Sequence, residues 1–382
     1  MSAPKPSLPL IAGAVLAPLV TWLPMLAVWG WRPSLVPIYP STVAGLVAWQ
    51  EHVLWAALLG FLAVVASRED RWLGVGVGYL AVTVLVRGAQ IDLQSCILIA
   101  IVSVGLIELR KTGTRARKLA QRALVGVGLF QAGYLMLQVA GYDPLWGVTA
   151  QNLGQTMTPY GPIRSVSIIG TLGNAQFAGS LLALTLPLAS WWLAPALLLP
   201  LVATKSTTAL AAAVVGLSIR WRHRMAWWAT LGFGALAVTG LLVYKSPYSL
   251  LLRLGVWEAA LEDFLAADPT VWFAGYGLGA WMQRVPQIQM GEPFLRQELF
   301  AQAHSDLVQA VYELGLIGAG IAVLWLRSHR GMMLTPIWGG AVAALAVLSL
   351  TTFPLHHVAL ALIGVVVLGF AQSPILIPRE GA

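Results

Sequence analysis

Ionisable side chains are few in this chain: 382 residues carry 23 Lys and Arg, 15 Asp and Glu, and six His. Any chemistry must come from a short set of residues. His304 is the first, in Ala303-His304-Ser305-Asp306, between a long mixed segment and an apolar run. A neutral imidazole there could take a proton from a hydroxyl near physiological pH. The plainer reading is a helix-start histidine with Ser305 or Asp306 as the cap. His356 and His357 share a turn between two apolar runs, while His223 and His329 stand among arginines and read as solvated. His52 follows Glu51 inside an apolar run. An ionisable pair in such a run is either functional or satisfies itself between helices.

The acids Asp263, Asp268, Glu292 and Glu298 are scattered, without the spacing of metal ligands, so neither a metal nor another cofactor is expected. Cys96 is the single cysteine. It excludes an intrachain disulfide and a Cys-based metal site. Gly275-x-Gly277-x-Gly279 has no strand before it and no βαβ unit around it. It reads as a tight backbone turn, not a dinucleotide fingerprint.

The elements that must position these residues follow from composition. The chain is 58% hydrophobic and 10% charged, with mean hydropathy +0.77. Soluble domains carry about 25% charged residues, so a soluble enzyme and a disordered chain are both excluded. Twelve apolar runs fall near 8–31, 42–67, 72–86, 91–109, 121–141, 173–189, 191–204, 207–219, 226–244, 306–326, 332–352 and 357–374. A membrane-spanning helix needs about 20 apolar residues. The pattern predicts an all-α polytopic membrane protein of about 12 transmembrane helices, one transmembrane domain over 1–382, without an internal repeat. The first run is too long for a signal-peptide core and is expected to be retained.

With both termini inside, 15 of the Lys and Arg residues fall in inside segments and 8 in outside ones, as the positive-inside rule requires. The net charge of +8 is therefore a topology signal, and nucleic acid is not an expected partner. The basic stretch 110–122 sets orientation or touches anionic lipid headgroups. Two outside segments, 142–172 and 245–305, are too long for plain connections and are candidates for function. In the second, Trp257, Leu261, Phe264 and Leu265 fall at i, i+4, i+7 and i+8, one apolar face of a helix that should rest on the membrane surface. Pro247 could occupy an early helical position, and Asp268-Pro269 closes the run.

Several short motifs resemble one family. His304-Ser305, nine residues, then Gly315-Leu316-Ile317-Gly318 is similar to the pattern of the O-antigen ligase and polymerase superfamily of bacterial inner-membrane glycosyltransferases. There a periplasmic His is followed by Asn, Ser or Gln, nine residues and Gly-x-x-Gly. Gly170-Thr171-Leu172-Gly173-Asn174 resembles the family's Gly-Thr-x-Gly-Asn segment at the start of a span. Arg253-Leu254-Gly255-Val256-Trp257 resembles its Arg-x3-Trp helix, and the run at Gly275, Gly277 and Gly279 its glycine run. Phe353-Pro354-Leu355-His356 is similar to the segment before the last span. Together these pieces cover about residues 165–370 in the family's order. One piece departs: Thr204-Lys205-Ser206-Thr207 has Thr207 where the family often has arginine. Lys205 could supply the charge, but not a bidentate fork.

The resemblance implies a glycosyltransferase of the bacterial inner membrane, with cytoplasmic termini and a periplasmic site. Its donor is a glycan on undecaprenyl diphosphate. The leaving diphosphate needs cations. Arg253 is the first candidate because arginine matches phosphate oxygens in fork geometry. Lys205 is the second, and Arg164, Arg284 and Arg296 follow. His304 is expected to deprotonate the acceptor hydroxyl during an inverting, metal-independent attack. Gly315 and Gly318 would let helices pack closely behind it. The acceptor is lipid A–core for a ligase, or a second lipid-linked glycan for a polymerase. A flippase or transporter is the alternative from another class, expected to show charges along a central path and inverted repeats.

Overall fold

The computed structural model describes residues 59, 62–63, 66–87, 93–143, 148–149, 157–158, 161–162, 168–222, 232, 248–291, 295, 302–352 and 354–372. Among them helix dominates, and the fold is all-α. The helices are α1 (Arg71–Arg87), α2 (Leu93–Arg110), α3 (Thr114–Val139), α4 (Ala175–Thr185), α5 (Ala194–Ala203) and α6 (Thr207–Arg220). The series continues with α7 (Tyr248–Ala266), α8 (Pro269–Ala274), α9 (Ala280–Gly291), α10 (Asp306–Ser328), α11 (Pro336–Thr351) and α12 (Val358–Gln372). The only strands among the described residues are two tiny antiparallel hairpins within 142–162.

Two of these helices, α3 and α10, are long and apolar enough to cross a membrane. Shorter apolar helices occupy 71–84, 175–188, 194–203, 207–220, 337–351 and 359–372. The expected run at 8–31 and most of those at 42–67 and 226–244 lie outside the described residues. The structure departs most from straight spans at α4–α6. With 10 residues, α5 rises about 15 Å, half of a bilayer core. Arg220 at the end of α6 donates to the carbonyls of Pro187 and Ala189, below the start of α5. At the other end, a Cβ on Gly179 would lie 3.0 Å from Thr204 Oγ1 and from the Ala209 Cβ. So α5 and α6 form a hairpin with both feet at residue 189, and its tip, Lys205, reaches only the second turn of α4. Pro195 at the start of α5 and Pro200 within it suit a short helix.

The main core lies between α4, α6, α11 and α12, with Leu181, Ala213, Ala344 and Ile363 fully or almost fully buried. Gly216 and Gly340 let α6 and α11 approach: a Cβ on Gly216 would sit 2.8 Å from the Gly340 carbonyl oxygen. The two run antiparallel, since Gly340 also meets Arg220 while Gly216 also meets Ala344. The start of α6 and the end of α11 therefore share one end of the bundle.

A second core belongs to the 245–305 segment and joins Leu252, Val256, Phe264, Trp281 and Tyr312. It corrects the expected face of α7. Leu252, Val256, Ala260 and Phe264 are buried, whereas Leu261 and Leu265 are exposed together with Leu251 and Leu254. The expected stripe is split: Trp257 and Phe264 turn to the protein, Leu261 and Leu265 away from it. The reason is that α7 has apolar residues on two sides, and only contact with α9 and α10 decides which side is covered.

Helix α10 is broken at Gly315, whose backbone turns to φ 64°, ψ −169°. The freed carbonyls are taken at once. Tyr312 accepts from the N–H of Tyr276 at 3.1 Å, Glu313 from that of Gly277 at 2.9 Å, and Leu314 from the Tyr79 hydroxyl at 2.7 Å. The glycine run 275–279 is thus a tight turn docked on the break. A Cβ on Gly275 would stand 2.5 Å from the Leu314 nitrogen. The two glycines of the Gly-x-x-Gly pattern do different work: a Cβ on Gly318 would meet the Leu314 Cβ at 2.4 Å and Tyr79 at 3.2 Å, so Gly318 serves packing, but Gly315 is there to break the helix.

Candidate functional site

His304 lies between two anchored residues. Ala303 is held on both sides of its backbone: its N–H donates to Gln309 Oε1 at 3.2 Å, and its carbonyl accepts from the Trp257 indole at 2.5 Å. Ser305 caps α10, its hydroxyl accepting from the N–H of Val308. The N–H of Asp306 donates to the Thr352 carbonyl at 3.1 Å, and its carboxylate accepts from the N–H of Leu355 at 3.2 Å. Between these anchors His304 adopts φ 52°. That left-handed region costs a residue other than glycine about 1–3 kcal/mol and persists only when the surroundings over-determine it.

Among the described residues, one other non-glycine residue has positive φ, and it is Lys205, at φ 54°. It tips the α5–α6 hairpin, followed by Ser206, which caps α6 by accepting from the N–H of Ala209. The antiparallel α6–α11 pair brings this tip to the same end of α11 as Thr352 and the His304–Asp306 anchor. The motif cations and the motif histidine thus share one end of the bundle.

Arg253 precedes Trp257 by one helical turn, on the same side of α7. While Trp257 grips Ala303, Arg253 acts on the imidazole next to it. Burial, and then the Arg253 charge, push the His304 pKa down from 6.5 to about 4. The ring is therefore neutral at physiological pH and able to accept a proton. His357 is also brought to this end. Its ring lies 4.5 Å from that of Phe177 on α4, and burial lowers its pKa to about 4 as well.

The segment leading into α4 is tied to α3. Gln138 Oε1 accepts from the N–H groups of Ile169 and Gly170, at 3.0 and 2.8 Å, while its amide donates to Asp143 at 2.7 Å. Tyr134 donates to the same carboxylate. Gln131 Oε1 accepts from the Thr171 hydroxyl at 2.5 Å. Asn174 then caps α4, accepting from the N–H of Gln176 at 2.7 Å.

Other candidates are placed elsewhere. Arg284 is engaged: its guanidinium lies 3.1 and 3.3 Å from the two Asp263 oxygens and 3.9 Å from the centre of the Tyr276 ring. Burial works to raise the Asp263 pKa, but hydrogen bonds from Tyr312 and Arg284 outweigh it and leave it lowered. Arg284 thus braces the segment through Asp263 and Tyr276. Arg164, Arg296, Glu51 and His52 lie outside the described residues. No group of three or more His, Cys, Asp or Glu among the described residues is placed to hold a metal ion.

Motif reading misses Gln309 and Glu313. Both are buried polar residues one turn apart in an apolar helix, and that contrast is the signal that could have found them. The chain matches no family model, and no curated protein sequence matches it. The resemblance to the O-antigen ligase and polymerase superfamily accordingly rests on the short motifs alone.

Proposed function

We propose that this chain is a multi-pass enzyme of the bacterial inner membrane that transfers a glycan from undecaprenyl diphosphate to lipid A–core at the periplasmic face. The observation that carries this reading is a buried histidine in a strained backbone whose pKa is lowered by burial and by the charge of Arg253. A neutral imidazole can receive a hydroxyl proton; a guanidinium can receive a departing diphosphate. The two functions are those that glycosyl transfer from a lipid diphosphate requires.

In this mechanism Arg253 and Lys205 bind the diphosphate. Its negative charge offsets the repulsion between Arg253 and a protonated His304, so donor binding raises the basicity of the imidazole. His304 then takes the proton of the acceptor hydroxyl as that oxygen attacks the anomeric carbon. The sugar–phosphate bond breaks on the opposite face, with inversion, and the diphosphate leaves against Arg253.

The test is reconstitution. The purified protein receives an undecaprenyl-diphosphate-linked repeat, with and without lipid A–core. Product that needs lipid A–core supports ligation. A ladder from the donor alone makes the enzyme a polymerase and overturns the choice of acceptor. The orientation is tested separately, in a background lacking Cys96. A cysteine at Gln287 should react with an impermeant reagent in intact cells, and one at Arg115 should not. The reverse pattern would sink the topology.

A further inference from the structure

Gln309 and Glu313 are buried in α10, yet an apolar pair would be cheaper to bury there. Their hydrogen bonds show what they do. Glu313 Oε1 accepts from the Trp281 backbone N–H at 3.2 Å and from Gln309 Nε2 at 3.1 Å. A glutamine amide can present either its oxygen or its nitrogen to a neighbour. Glu313 Oε1 serves both contacts as the acceptor, which holds the Gln309 nitrogen toward it and turns the Gln309 oxygen outward. That oxygen accepts the Ala303 N–H. The opposite side of Ala303 is held by Trp257.

From these contacts we infer that Gln309 and Glu313 are positioning residues for His304, a two-residue relay that fixes the Ala303 peptide and thereby the place of the imidazole. The relay ties three elements to one backbone group: α9 through Trp281, α10 through its own two side chains, and α7 through Trp257. It also accounts for the break at Gly315. The break frees the Glu313 carbonyl for Gly277, and the turn at 277–279 then delivers the Trp281 N–H to the Glu313 carboxylate.

The kinetic consequence rests on the reading of His304 as the base; the positional consequence does not. The experiment therefore measures both on the full-length protein. The variants are Gln309→Leu, Glu313→Leu and Glu313→Gln. The first readout is kcat and KM for transfer from the lipid-linked donor. The second is the rate at which diethyl pyrocarbonate modifies His304, followed by peptide mass spectrometry. Displacing a reacting group by about 1 Å can cost about 100-fold. Gln309→Leu and Glu313→Leu should lower kcat by about 10–100-fold with KM within about twofold, and should change the modification rate several-fold. Glu313→Gln keeps an acceptor oxygen for both donors and should stay within about threefold of the parent in both readouts.

An unchanged kcat and an unchanged modification rate in Gln309→Leu would overturn the relay while leaving the proposed function intact. Glu313→Gln behaving like Glu313→Leu would also overturn it, because charge rather than acceptance would then matter. If Gln309→Leu fails to fold, Gln309→Asn replaces it: its amide is one methylene short of Ala303, and the same outcomes decide. Wild-type transfer by His304→Ala would remove the catalytic reading, and the modification rates would still judge the relay.

Discussion

Helix α10 carries a histidine at each end, and the two are treated differently. At its C-terminal end His329 packs on Trp325, with ring centres 4.9 Å apart. Its Nε2 lies 3.1 Å from Asp70, and its Nδ1 is 2.8 Å from the Ser328 hydroxyl. Asp70 also meets Arg110 at 3.5 Å, while Lys111 reaches Glu69 at 3.0 Å and Glu108 at 3.4 Å. Every charge in this group faces an opposite one. The solvated histidine expected from sequence is in fact half-buried in an ion-pair network, because α1 starts beside it and brings Asp70.

At the N-terminal end His304 has a cation, Arg253, acting on it, and a backbone in a costly conformation. One end is arranged for stability; the other holds a strained backbone and a buried imidazole whose protonation the Arg253 charge opposes. Strain of this kind is characteristic of sites that act on something else.

The two ends of α10 should differ most when each histidine is exchanged for alanine. His304→Ala should lower transfer by about 10²–10⁴-fold, the usual loss of a general base. His329→Ala should leave turnover near that of the parent but cost about 1.5–3 kcal/mol of stability, the worth of a hydrogen bond to a charged group. Equal loss of turnover in both variants would erase the distinction.

Arg253→Ala should follow with a loss of about 100-fold, as when one donor to developing negative charge is removed. Arg253→Lys should recover little, since lysine lacks the planar fork. Transfer should survive EDTA; loss on chelation with recovery on adding Mg²⁺ would contradict charge balance by arginine and lysine.

The pH dependence sharpens the electrostatic half. With its pKa lowered to about 4, His304 stays unprotonated well below 6.5, so the acidic limb of kcat/KM should lie nearer 4 than 6.5. Arg253→Gln removes a positive neighbour and should move that limb upward. The sign for stability is fixed too. An imidazole with a lowered folded-state pKa contributes fully above about 6.5, and that contribution is lost as pH falls toward about 4.

The smallest effect concerns Lys205. Lys205→Gly should relieve left-handed strain of about 1–3 kcal/mol against an added chain-entropy cost of about 0.5–1 kcal/mol, a modest net gain in stability, while weakening donor binding. A variant that gains no stability would mean that the residue is not strained; one that keeps full donor affinity would mean that another cation supplies the charge.

Much of the local structure was legible in the sequence. Ser305 begins a helix as its cap, a pattern written within three residues. The glycine run at 275–279 reads as a turn because only glycine adopts its positive φ values without penalty. Helical class follows from composition and apolar run length. These features depend on neighbours a few residues away, so a linear reading reaches them.

Other features required the tertiary structure. The Arg-x3-Trp motif ranks Arg253 above Arg284, but only the fold shows that Asp263 pairs with Arg284 while the charge of Arg253 acts on His304. The face of α7 has two apolar solutions, and contact with α9 and α10 selects one. Gly315 looks like a packing glycine until the turn at 275–279 is seen docked on its freed carbonyls. Gln309 and Glu313 acquire meaning only when Trp281 and Ala303 arrive beside them. The physical reason is common to all four. Burial, charge pairing and backbone strain are properties of groups brought together from far along the chain, such as Trp257 and Ala303, 46 residues apart, and no local pattern records which of them will meet.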